Sequence, residues 1–253
     1  MIPTSIWNWF ACLWAWVDDW HDVLLVVFTS LIFIVTTALA IYTCGLWRST
    51  KRLVKDAKKI NRRVYCIAFP VDYWNKLGWT EPHGDPNHTK RQQEYSKAVR
   101  TDQIYTPQMI VNGTEEFVGS SKPEAQKSIA AALGQKAATA VTLRMDKPTG
   151  ANGVTIAYEI SSAPKNAVLN VAVVESGLVS KVTRGENSGR TLAHDNVVRV
   201  FTTVAIDRSG KGTVDLKLPN GLVRKKSQVI AYVQHPETKA IVGATAVDLD
   251  PGK

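Results

Sequence analysis

Asp72, Tyr73 and Trp74 stand together just after a short apolar run. Strand ends of this kind present ligand-contacting side chains in α/β sheets. An acid/base role and a loop-organising hydrogen bond are both open to the Asp72 carboxylate. His83, Asp85 and His88 follow in one loop and are of metal-ligating types. Turn-making polarity accounts for them as well, and no metal is expected. Arg184, Glu186, Asn187, Arg190 and His194 form a second polar group, bracketed by Gly185 and Gly189. The group lacks the Gly-Lys-Ser/Thr ending of a phosphate loop. It reads instead as a demanding crossover between strands, with Glu186, Arg190 and His194 in an internal network. No Ser/His/Asp or paired-carboxylate constellation can be assembled from the spacing, so neither a catalytic residue nor a cofactor is expected.

Cysteine chemistry is equally sparse. Cys12, Cys44 and Cys66 are dispersed, with no Cys-x-x-Cys pair. A disulfide scaffold, a zinc ribbon and a dithiol redox motif are all unsupported by that count and spacing. Thiol–disulfide exchange needs a low-pKa thiolate and a resolving partner, and neither is encoded. Cys66 alternates within an apolar run and reads as a small buried hydrophobe.

The elements that must position these residues fall into distinct regions. The chain has 253 residues and a formal net charge of +9, with 45% hydrophobic and 21% charged residues, a globular balance that rules out wholesale disorder. Residues 1–22 are Trp-rich and carry no Lys or Arg. Val23–Trp47 runs 25 residues without a charge. A helix needs about 20 apolar residues to cross a bilayer, so this segment is expected to span as a transmembrane helix. Trp16, Trp20 and Trp47 flank it at headgroup depth, and a signal peptide's basic start is missing. Residues 48–63 carry eight Lys and Arg against Asp56 alone, which predicts a cytoplasmic C-terminal side and an attraction to anionic membrane lipid. No aromatic interleaves these cations before Tyr65, so nucleic acid is not an expected partner.

Residues 64–138 alternate element types. Val64–Phe69 reads as a buried strand, Thr89–Val99 as a helix capped by Thr89, and Gln108–Val111 as a strand after Thr106-Pro107. Asn112-Gly113 predicts a hairpin into Glu115–Val118, and Ser121 or Ser120 caps a helix running to about Leu133 with Pro123 at its start. From 139 to 253 strands dominate: Ala140–Met145, Val154–Ser161, Val168–Glu175, Leu178–Thr183, Asn196–Ile206, Thr213–Leu218, Gln228–Gln234 and Ile241–Leu249. Their period-two alternation and turn punctuation predict an antiparallel β-sandwich. The class is therefore α+β.

Strand, helix, X-Pro, hairpin, helix is the order of the C-terminal part of a thioredoxin-like fold. Ala68–Trp79, Arg91–Ser96, Tyr105–Ser120 and Val182–Phe201 resemble, string by string, the bacterial secreted-protein family known as domain-of-unknown-function family 1223. The resemblance covers roughly residues 64–248. It implies a thioredoxin-like module followed by a β-sandwich, an exported location in place of the cytoplasmic one, and a cis bond at Thr106-Pro107. Family members place a Cys-x-x-Cys after Phe-Thr-Ser; here Phe28-Thr29-Ser30 is followed by Leu31-Ile32-Phe33. The expectation is a membrane-anchored, non-catalytic protein with a truncated thioredoxin-like module and a binding or envelope-associated role. Another protein could complete its sheet. The alternative is a thioredoxin-like oxidoreductase that has lost or borrows its cysteine pair.

Overall fold

The computed structural model describes residues 64–250 apart from 102, 147–151 and 186, all inside one compact unit, Ala57–Lys253. The predicted transmembrane segment 23–47 and its flanks, 1–22 and 48–63, lie outside the described residues. Among the described residues, no helix is long and apolar enough to cross a membrane. They form two α-helices and eleven strands, an α+β arrangement dominated by β-sheet.

Val168–Glu175 (β5) lies at the centre. Its alternate residues Leu169, Val171 and Val173 point to one side, Ala172 and Val174 to the other, and all are buried. A strand covered on both faces reads as a continuous apolar run, as this one does. It pairs antiparallel with Ser227–Gln234 (β10) and Val197–Ala205 (β8), and Ile241–Asp248 (β11) completes a four-stranded sheet in the order β11-β10-β5-β8. A second sheet, Val141–Met145 (β3), Gly153–Ile160 (β4) and Lys211–Lys217 (β9), lays Ile156, Tyr158 and Leu216 against Leu169, Val171 and Val229. Several of these are fully shielded, each contributing about 1.5–3 kcal/mol by burial.

The other face of the four-stranded sheet is also covered. Ala172, Val174, Val198 and Ile230 pack beneath Tyr65, Ile67 and Phe69, with Phe201 alongside. The stretch 64–69 does this without becoming the predicted strand. It makes one parallel bridge, Ala68 to Val197, and Pro70, which has no N–H to donate, follows two residues later.

Pro86–Val99 (α1) covers the same face. It starts three residues ahead of the predicted Thr89 cap, because Asp85 accepts from the Asn87 N–H at 2.7 Å and Pro86 suits the first helical position. The helix ends at Arg100, in left-handed conformation. Gln108–Val111 (β1) and Glu115–Val118 (β2) form the predicted hairpin, with positive φ at Asn112 and Gly113. Lys122–Gly134 (α2) packs beside the hairpin. Leu178–Lys181 (β6) ends short of Thr183 and pairs with Thr191–His194 (β7), a strand within the expected crossover.

Candidate functional site

Two places bring sequence-distant polar groups together. The first surrounds the Thr106-Pro107 bond, which is cis. Trp74, carried on a loop just before a single 3-10 turn (Asn75–Leu77), donates its indole N–H to Thr106 Oγ1 at 2.8 Å. The Tyr73 hydroxyl donates to Gln92 Oε1 at 3.3 Å, and Gln92 donates to the Tyr105 carbonyl at 2.8 Å and to Gln108 Oε1 at 3.0 Å. Gln108 and the Tyr105 hydroxyl both donate to one oxygen of Glu116, at 3.0 and 2.5 Å. Desolvation, then the Glu116 hydrogen bond and charge, push the Tyr105 phenol up to about 12, so it stays protonated as a donor. Asp72 ties its loop to α1: its Oδ1 accepts from Thr89 Oγ1 at 2.5 Å, and its N–H donates to the Thr89 hydroxyl oxygen at 3.4 Å. Trp74, Ile104 and Val118 are 48%, 44% and 45% exposed; Trp74 bonds to Thr106, Ile104 precedes Tyr105 in sequence, and Val118 faces Gln108 across the ladder. They give this polar frame an apolar rim.

The second place is a groove of about 730 Å³ between the start of α1 and strand β8. His83, Lys90 and Arg91 lie on one wall, Arg199, Phe201 and Thr203 on the other. Arg91 is its most constrained member. One guanidinium nitrogen donates to Tyr232 Oη at 2.7 Å, to Tyr95 Oη at 3.1 Å and to Gln234 Oε1 at 3.3 Å. The group lies over Phe201 and Tyr95, 4.6 and 5.0 Å from their centroids. Its Nε is buried with no partner. Burial raises the Tyr232 phenol against the opposing pull of Arg91. Arg199 pairs with Glu175, which is buried and also accepts from the Val223 N–H at 3.0 Å. Burial first, then Arg199 and His194, lower the His83 imidazole against the pull of Glu81 and Glu175.

The three residues of metal-ligating type all line the groove, each with different contacts. His88 is buried, donating Nδ1–H to the Pro70 carbonyl at 2.8 Å with its ring edge-on to Phe69. Asp85 caps α1, and only His83 lines the groove as a side chain with no helix-capping or carbonyl contact. Among the described residues no three His, Cys, Asp or Glu side chains gather as a metal would need. In the second predicted cluster Glu186 lies outside the described residues. His194 takes Ser180 as its polar partner, Nε2 to Oγ at 3.1 Å, not Arg190. The cause is register: Leu178 faces His194 across the ladder, which makes Ser180 its diagonal neighbour. Arg184, Asn187 and Arg190 are exposed on the hairpin loop, where the Asn187 carbonyl accepts from the Arg190 N–H at 3.0 Å. The His194 ring stands 6.1 Å from that of His83. Cys66 is free, and burial pushes its thiol up.

Residues 43–234 match the family described as "Protein of unknown function (DUF1223)". The chain belongs to that family. An X-ray structure of a protein from Agrobacterium tumefaciens is 24% identical, with 81% of this chain and 89% of that one covered at a TM-score of 0.58, which shows a shared fold. Two more distant likenesses carry no argument at their scores. A domain of the outer membrane lipoprotein Omp28 from Porphyromonas gingivalis is 10% identical over 47% of this chain and 93% of that one, TM-score 0.30. A β-glucuronidase from Ruminococcus gnavus is 6% identical over 44% and 15%, TM-score 0.24. No curated protein matches this family member.

Proposed function

We propose that this member of the family is a non-catalytic binding protein anchored in a membrane by residues 23–47, with an envelope-associated role. One observation carries the binding reading: Trp74 is fixed by its hydrogen bond to Thr106 yet stays half exposed, and two further exposed apolar residues adjoin that turn, Ile104 in sequence and Val118 across the ladder from Gln108. A held indole with an apolar rim has the composition of an interaction hot spot. Residues 64–138 are the truncated thioredoxin-like module in this reading and 139–253 the sandwich beneath it. The order of turn, hairpin and α2 favours that division, and β1 pairs only with β2 among the described residues, which leaves room for a strand from another protein.

The oxidoreductase alternative needs a thiolate. Cys66 is the free cysteine of the described residues, and its thiol is raised rather than lowered by its surroundings. An insulin-reduction assay on the full-length chain tests the choice. Turnover no faster than that of free cysteine is expected; turnover that vanishes in Cys66→Ser would establish the oxidoreductase instead.

A further inference from the structure

The groove between α1 and β8 is also a sheet edge. Strand β8 is the last of its sheet, and only the start of its outer side is used. There Ala68 donates to the Asn196 carbonyl at 2.9 Å and accepts from the Val198 N–H at 3.0 Å. The chain then leaves the edge at Pro70, whose carbonyl is held by the Asp85 N–H and by His88 Nδ1. Beyond Val198 no backbone hydrogen bond joins the outer side of β8 to any described residue. Val198 to Thr203, the stretch so exposed, lines the groove.

The charges around that edge are unequal in a specific way. Each carboxylate in or under the groove already has a partner: Asp85 caps α1, Glu94 meets Lys239 at 3.1 Å, and Glu175 holds Arg199. Two cations of the opposite wall do not meet a carboxylate. Among the described residues Lys90 makes no ion pair, and Arg91 donates only to neutral oxygens while its Nε donates to none. An anion brought here would meet two cations that no described carboxylate pairs with, against the single unpaired charge of Asp85. A bulge at the mouth, where Val173 faces Val200 but Val174 faces Val198, turns the Arg199 side chain away onto Glu175.

We propose that this groove takes an extended acidic peptide of a partner protein, which adds a strand to β8 along residues 199–203 and sets a carboxylate against Lys90 and Arg91. Main-chain bonds supply affinity in such strand addition, and the side-chain charges supply selectivity. The site is separate from the Trp74 rim, so the two readings fail independently.

The test uses the full-length chain and a fluorescent peptide alternating valine and glutamate. It is compared with the lysine-for-glutamate peptide, with a glutamate peptide N-methylated at alternate positions, and with inorganic phosphate. The glutamate peptide is expected to bind and to slow amide exchange at residues 199–203. Lys90→Glu should weaken it about tenfold or more, N-methylation should weaken it comparably, and Trp74→Ala should leave it unchanged. Lys90 is exposed and without an ion pair, so its reversal does not threaten folding. Binding that ignores N-methylation, competition by phosphate at equal strength, preference for the lysine peptide, or protection confined to other residues would each overturn the proposal.

Discussion

Glu175 is the residue with most to lose. Its carboxylate is buried between Arg199 and the Val223 N–H, and it sits on the central strand. Removing one partner of a buried pair leaves the other charge uncompensated, a loss of about 3–5 kcal/mol. Glu175→Ala should lower the denaturant midpoint accordingly, while Glu175→Met with Arg199→Met should recover much of it; a single variant as stable as the parent would deny the pair any structural weight. His83 makes a different prediction. Its proton is disfavoured by burial and by Arg199 and His194, so the unfolded chain protonates near the ordinary 6.5 and the folded chain only at lower pH. Stability from this group is present above that value and lost as pH falls through the folded one. His83→Gln should therefore show a shallower fall in melting temperature between neutral and mildly acid pH than the parent. Parallel curves would mean that His83 does not contribute.

The β1–β2 hairpin exposes the limits set at the level of an element. Gly113 has φ +82, and a Cβ built there would stand 1.8 Å from the Lys239 carbonyl oxygen. Gly113→Ala should destabilise by more than the 1 kcal/mol or so of an ordinary glycine substitution, and amide exchange across residues 108–118 should accelerate. Unchanged exchange would show that the turn can relax. This hairpin was legible because Asn-Gly is a local signal, and β5 was legible because both of its faces are apolar. Strand β7 was not: Thr191 to His194 carries little apolar contrast, and only its pairing with β6 makes it a strand. The run 64–69 misled in the opposite direction. Its apolar side chains are half-buried, by lying across a sheet face instead of joining the ladder. The candidate sites divide likewise. Asp72, Tyr73 and Trp74 could be singled out as neighbours in sequence, whereas Arg91 could not, since its partners Tyr232 and Gln234 lie 141 and 143 residues away.

Across the whole molecule, the 25-residue uncharged run and the eight cations after it predict tight attachment to lipid. The full-length chain should sediment with membranes and stay there through high salt and alkaline carbonate. Release by salt alone would leave only the basic stretch as the membrane contact. The cover that α1 and residues 64–69 give to the four-stranded sheet bears on how the protein is made. Arg91 leaves the ribosome 141 residues before Tyr232, and Phe69 well before Phe201. Until β8 and β10 have been synthesised, the first-made half has no surface to settle on, and its apolar side stays wet. Residues 64–99 must wait for β8 and β10, so vectorial synthesis leaves this chain dependent on whatever shields nascent polypeptide in its compartment.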